Sequence, residues 1–356
     1  MSATITIAGR PIGPGHPPYV IAELSANHNG DLAQALRIID AAAEAGADAV
    51  KMQTYRPDTI TLDAHTPDFQ ITGGLWDGRR LFDLYDWAHT PWDWHETLFA
   101  HAAKRGITMF SSPFDNTAVD LLEGLQAPAY KIASFEAVDL PLIRYVAGKG
   151  KPMIISTGMA DLAEITEAVH AARAGGCQDL ALLHCVSGYP APAADYNLVT
   201  LADMAARFGV PVGLSDHTLD NTTAIASVAL GACIIEKHMT LDRTGGGPDD
   251  SFSLEPAEFA ALVTGARTAW DAIGAIDYGR KSSEQANVKF RRSLYFVQDL
   301  QAGDVITAQA IRSVRPGYGM APKHFDALIG QRVTRAVARH TPVTADALPD
   351  ALVESL

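Results

Sequence analysis

A chain of 356 residues, 47% apolar and 19% charged, is long enough for one large core and a small second one, and too apolar to stay disordered. Its net charge of −13 argues against a nucleic-acid surface, so any anionic ligand has to be met by locally placed lysines and arginines. No apolar run approaches the roughly 20 residues of a membrane-spanning helix, the opening MSATITIAGRPIG lacks the basic start and apolar core of a secretory signal, and the three cysteines, Cys177, Cys185 and Cys233, show no metal-type spacing. The expectation is a cytoplasmic protein with no membrane contact and no disulfides.

Taken in order, residues 4–12 read as a short edge strand and turn, after which one pattern repeats. Apolar runs end in polar residues at Val20–Leu24, Ala49–Gln53, Thr108–Ser112, Ala129–Ala133, Met153–Thr157, Leu180–Cys185, Val212–Ser215 and Ile234–Met239. Between them lie segments with helical periodicity, among them Leu32–Ala45, Trp92–Arg105, Asp161–Ala174 and Asn221–Leu230, with Glu255–Ile273 as the last. Asp31 and Asp161 stand where N-caps are expected; Gly46, Gly106 and Gly175 stand where helices should stop. Eight alternating strand–helix units predict an α/β fold, a TIM (β/α)8 barrel over residues 1–276, with its site at the C-terminal ends of the strands. An insertion at 56–91 carries Trp76, Tyr85 and Trp87, read first as aromatics that pack the loop onto the barrel and second as a sugar platform. The polar stretch 277–292 reads as a linker, and residues 293–356, with short strands broken at AGD and PGYG, as a small mostly-β domain.

Polar residues gather at the predicted strand ends: Glu23, Asn27 and His28; Lys51 and Gln53; Ser111 and Ser112; Lys131, Ser134 and Glu136; Thr157; Ser187 and Tyr189; then Ser215, Asp216 and His217; and Glu236, Lys237 and His238. A buried strand that ends in lysine has to pair that charge or present it to an anion. Lys51 and Lys131, with the hydroxyls of Ser112 and Ser134, suit a phosphate or carboxylate; equally, they suit a ring of salt bridges with Glu23 and Glu236. A Schiff-base lysine is a third reading, and it leaves the two histidines without a role. His217 and His238, at consecutive strand ends, suit an open divalent-metal site, and Glu136 a proton-transfer role.

The segments IAELSANHNGDL, DAVKMQTYRPDTITL, FSSPFD, YKIASFE, ISTGM, LLHCVSGYPAP, GLSDHT, EKHMTLDR and GPDDSFSLEP occur in the order in which the sialic acid synthase family carries them. The stretch RRSLYFVQDLQAGDVIT, followed by IRSVRPGYGMAPKHFDALIG, resembles that family's antifreeze-like (SAF) domain, so the resemblance spans nearly the whole chain. Within the family, ELSANHN, KMQTYRPDTIT, LYDWAHTPW and SFSLEP are most similar to the pseudaminic branch. Ser187 stands where the sialic acid enzymes usually have asparagine, and GGGPDDSF mixes features of two branches.

The resemblance implies a transferase that condenses phosphoenolpyruvate with the open-chain aldehyde of an N-acetylated amino sugar. For the pseudaminic branch that sugar is 2,4-diacetamido-2,4,6-trideoxy-L-altrose, and the products are a nine-carbon 2-keto acid and phosphate. Carried over, Lys51, Ser112, Lys131, Ser134 and Ser187 would hold phosphoenolpyruvate, and His217 and His238 a divalent cation, Mn²⁺ or Mg²⁺. Glu23 and Glu136 would lie beside the reacting carbons, with Gln53, Tyr189 and Asp249 on the substrate. Arg315 would reach the sugar from the SAF domain of the other subunit in a domain-swapped homodimer.

Overall fold

The structure, a computed structural model, describes residues 4–355. An antiparallel hairpin, β1 (Ile5–Ile7) and β2 (Arg10–Ile12), precedes eight parallel strands. These are β3 (Tyr19–Glu23), β4 (Ala49–Thr54), β5 (Thr108–Pro113), β6 (Tyr130–Ile132), β7 (Met153–Ser156), β8 (Leu180–Cys185), β9 (Val212–Asp216) and β10 (Ile234–His238). They pair in sequence order and close through β10 against β3. Eight helices follow the strands: α1 (Leu32–Glu44), then, after two short helices α2 (Pro57–Ile60) and α3 (Leu81–Ala88), α4 (His95–Arg105), α5 (Asn116–Gly124), α6 (Leu140–Ala147), α7 (Leu162–Ala174), α8 (Thr200–Phe208), α9 (Thr222–Ala229) and α10 (Pro256–Ile273). The (β/α)8 barrel expected from the alternation is the fold. No helix among the described residues is long and apolar enough to cross a membrane.

The strands read as unbroken apolar runs because both of their faces are buried. Val20, Ala22, Val50 and Met52 face the helices, while Tyr19, Ile21, Ala49, Phe110, Ala129, Ile154, Ala181, Leu183 and Ile234 fill the lower barrel with Ile5, Ile7 and Ile12 of the hairpin. The same two-residue period then brings Glu23, Lys51, Ser112, Lys131, Ser156, Ser215 and Glu236, all buried, to the upper interior. The barrel is thus apolar below and polar above.

The caps bear out the helix signals. Asp31 accepts from the Ala33 N–H, and Asp161 forms a reciprocal capping box with Glu164. Gly106 ends α4 in the left-handed conformation; at the end of α7 that conformation belongs to Gly176, one residue past the expected Gly175. The insertion is more ordered than a loop, holding α2, α3 and a bridge between Gln70 and Arg80.

Contacts divide the chain into two units after Gly274. The second holds the antiparallel pair β11 (Ser293–Phe296) and β12 (Ile311–Val314) over its own core of Leu294, Phe296, Ile306, Ile311, Leu328, Val333 and Val343. Much of the stretch read as linker is a 3₁₀ run, Ser282–Phe290, that belongs to this unit, and the Gly317 N–H donates to the Lys289 carbonyl.

Candidate active site

A charged cluster lies across the upper barrel. Lys51 Nζ is 2.6 Å from Glu23 Oε2, 3.7 Å from Glu236 Oε1 and 3.3 Å from Ser112 Oγ. Lys131 Nζ is 3.4 Å from the same Glu236 oxygen, to which Ser215 also donates at 3.3 Å. The salt-bridge ring weighed as an alternative therefore exists, and it is uneven. Burial opposes charge on Glu236, yet Lys131, Lys51 and His217 outweigh it and hold this carboxyl below its ordinary range. Burial raises Glu23 against the pull of Lys51. Lys51 is thus held tightly by Glu23 and loosely by Glu236, whereas Lys131 has only the long contact to Glu236, and burial lowers its pKa. Ser156 Oγ is buried at the same level without a partner.

Beside the cluster, the Gly158 N–H donates to Ser134 Oγ at 3.2 Å, and a Cβ on Gly158 would stand 2.3 Å from Ser187 Oγ and 2.8 Å from Ser134 Oγ. Only glycine lets these two hydroxyls and a backbone amide converge, the arrangement that oxyanions favour.

His217 and His238 end adjacent strands, and their rings are 5.4 Å apart. His217 Nδ1 faces the Val186 carbonyl at 2.8 Å, which assigns a proton to that nitrogen and leaves Nε2 outside this bond. His238 is held neutral by burial and by His217 and the lysines around it, and its Nδ1 makes no hydrogen bond. Burial opposes charge on His217, but Cys185, the Val186 carbonyl and Glu236 outweigh it and raise its pKa. A divalent cation binding at its Nε2 and at His238 Nδ1, with remaining ligands from water or substrate oxygens, would displace any proton held there. Among the described residues no three His, Cys, Asp or Glu side chains converge closely enough to hold a metal by themselves. Lys237 points the other way, out of the barrel, and clasps Asp216 at 2.7 Å, the Thr218 carbonyl at 2.7 Å and the Asp220 carbonyl at 2.8 Å. It fixes the turn that carries His217 and takes no part in the site.

A cavity of about 320 Å³ adjoins these groups; Ser134 and His238 line it, whereas Glu23, Lys51, Ser112, Lys131, Ser187 and His217 do not. Gln53, Ser134, Glu136, Tyr189, His238 and Asp249 face it, as do Ser25, Tyr55 and Phe114. Its apolar side comes from the insertion: Ile60, Ile71, Trp76, Leu81, Leu84 and Tyr85. Trp76 is tied across by its indole N–H to the Pro248 carbonyl at 3.1 Å and lies 5.8 Å from the Tyr189 ring. Trp76 and Tyr85 are therefore cavity wall; Trp76 also ties the insertion to the loop after β10, as expected of these aromatics, whereas Trp87 stacks under Arg79 of the insertion itself.

Asn27, His28, Ser111 and Thr157 are not part of this cavity. Asn27 braces Met239 and Ser253, His28 packs on Trp94, Ser111 bonds Thr54 and the Met52 carbonyl, and Thr157 bonds the Leu183 carbonyl. Arg315 belongs to the second unit, exposed, in the turn after β12. The GGGPDD segment is closed by residues the sequence reading passed over. Asp250 accepts from the Gly247 N–H at 2.8 Å and from Asn29 at 2.9 Å, and a Cβ on Gly247 would fall 1.7 Å from Asn29 Oδ1.

Burial raises the Glu136 carboxyl from 4.5 to about 7, and its Oε2 is enclosed without a partner. The folded chain thus keeps a proton that the unfolded chain releases, a stabilisation complete below 4.5 and lost as pH rises through about 7. Glu136→Gln is therefore expected to gain up to about 3 kcal/mol on the parent at pH 8 and nothing near pH 4.5. Urea unfolding at the two values checks this; an equal difference at both contradicts it.

The fold and this mouth define a class: a (β/α)8 barrel with a charged cluster at the C-terminal ends of its strands, joined to a small β domain. Residues 38–278 match the NeuB family, and residues 291–349 match the SAF domain. The chain is 42% identical to the pseudaminic acid synthase of Campylobacter jejuni over 90% of its own length and 93% of that protein's, and 41% identical to that of Helicobacter pylori over 93% and 97%. An N-acetylneuraminic acid synthetase from Leptospira borgpetersenii, solved in complex with citrate, superposes with a TM-score of 0.72 at 33% identity, covering 81% of this chain and 96% of that one. The chain belongs to the NeuB family, and it is an enzyme, a transferase.

Proposed function

We propose that the chain condenses phosphoenolpyruvate with the aldehyde of 2,4-diacetamido-2,4,6-trideoxy-L-altrose, as a cytoplasmic pseudaminic acid synthase. The observation that carries this reading is a pair of buried lysines, of which Lys131 has only a long contact to Glu236, beside a cavity with one apolar wall. Lys51 and Lys131, with Ser112, Ser134, Ser156 and Ser187, bind the carboxylate and phosphate of the enol phosphate. Carbon 3 attacks the aldehyde, water adds at carbon 2, and phosphate leaves with cleavage of its C–O bond. Glu136, poised near neutrality, exchanges the proton of the new hydroxyl, and Glu23 stands by the reacting carbons. A divalent cation, Mn²⁺ or Mg²⁺, held by His217 and His238, would supply Lewis-acid polarisation of the aldehyde.

Gln53, Tyr189 and Asp249 take the polar side of the sugar. The wall of Ile60, Ile71, Leu81 and Leu84 suits a carbon that lacks its 6-hydroxyl, since a buried hydroxyl without a partner is costly there. The expected result in a phosphate-release assay is a kcat/KM for the trideoxy sugar at least about tenfold above that for N-acetylmannosamine. A higher value for N-acetylmannosamine, or for the legionaminic precursor, moves the chain to another branch.

The active form in this reading is a domain-swapped homodimer in which Arg315 serves the partner's sugar. Supporting it, Phe135, Val138, Met159, Val199 and Leu219 on the connections that follow the barrel strands, and Leu162 at the start of α7, expose apolar surface. Co-expressed Arg315→Ala and His217→Ala chains, each inactive alone, are then expected to yield an active heterodimer; an inactive purified heterodimer contradicts the exchange.

A further inference from the structure

Ser25 follows β3 with φ +46, the left-handed region that a serine occupies at a steric cost, and it is 2% exposed. That turn aims two donors at one carboxylate: the Ser25 hydroxyl reaches Asp249 Oδ2, and the Ala26 N–H faces the same side chain. Gln53 Nε2 donates to Ser25 Oγ at 3.0 Å and to Glu23 Oε1 at 3.0 Å. Because the amide supplies the hydrogen on that side, the single proton of Ser25 is left for Asp249. Asp249 Oδ2 in turn lies 3.9 Å from His238 Nδ1, and Ser25, Gln53, His238 and Asp249 all line the cavity. Glycine would adopt this backbone without strain. A hydroxyl kept there at a conformational cost points to work that the hydroxyl does.

We propose that Ser25 is a positioning residue that fixes the Asp249 carboxylate against His238 and toward the sugar end of the cavity, linking it through Gln53 to Glu23. The inference rests on the sugar-condensing reading above, and it separates the hydroxyl from the backbone that carries it. Ser25→Gly removes the hydroxyl and the strain together, whereas Ser25→Ala removes the hydroxyl and keeps the strain. Both variants are expected to lose at least about tenfold in kcat/KM for the sugar, with the KM for phosphoenolpyruvate within about twofold of the parent. Ser25→Gly is expected to melt no lower than Ser25→Ala, and its crystal structure to show Asp249 turned away from His238. A well-folded Ser25→Gly with parental sugar kinetics, or with Asp249 unmoved, overturns the proposal. If the parent releases no phosphate with any sugar, it is the condensing reading that fails, and the position of Asp249 in Ser25→Gly still decides this one.

Discussion

Replacing His217 or His238 with alanine is expected to reduce turnover by orders of magnitude while the chain stays folded. Each imidazole sits at a strand end with a nitrogen free for a ligand, His217 through its bond to Val186 and His238 through its neutrality and unpartnered Nδ1. Either substitution removes one of two protein ligands, and one histidine holds a divalent cation poorly. Lys237 and Tyr196 hold the His217 turn in place independently of the imidazole, so circular dichroism should be unchanged. EDTA should abolish activity in the parent and Mn²⁺ restore it, and elemental analysis should find less metal in both variants. Full turnover from metal-stripped protein contradicts the assignment.

Lys131→Ala is expected to weaken phosphoenolpyruvate binding by roughly 2–4 kcal/mol, about 30- to 1000-fold. Lys131 gives one long bond to Glu236, and because burial lowers its pKa, an arriving anion would supply the partner that holds its charge. Its removal leaves Glu236 with Lys51 at 3.7 Å, so the carboxylate is not stranded and the fold should survive. Titration calorimetry with phosphoenolpyruvate reads the effect directly. Unchanged affinity would reduce the cluster to a structural salt-bridge ring.

The barrel was legible because strands buried on both faces write themselves as apolar runs, and the turn chemistry at Asp31, Asp161 and Gly106 marks the helices between them. Parity along a strand carried the site as well: Glu236 and His238 share a face, and Lys237 between them cannot. The same rule would have set Lys237 aside as a clasp for Asp216. Parity fails once the strand ends. Asn27 and His28 follow a left-handed turn at Ser25, so their sequence position beside Glu23 did not predict that they face away from the cavity. The apolar wall was hidden for another reason. Ile60, Ile71, Leu81 and Leu84 come from an insertion whose path depends on long-range ties such as Trp76 to Pro248, 172 residues apart. The closeness of Gly247 to Asn29 and of Gly158 to Ser187 is likewise tertiary, and in sequence each shows only as a glycine in a loop.

The central claim is that the two-lysine mouth joins an enol phosphate to a sugar aldehyde. Its most direct test is to incubate the protein, Mn²⁺, phosphoenolpyruvate and 2,4-diacetamido-2,4,6-trideoxy-L-altrose, then measure phosphate and products together by colorimetry and mass spectrometry. The account predicts one phosphate released for each nine-carbon 2-keto acid formed, with neither produced when the sugar is left out. Phosphate released without a nine-carbon product, or no consumption of phosphoenolpyruvate with any N-acetylated sugar, would contradict it.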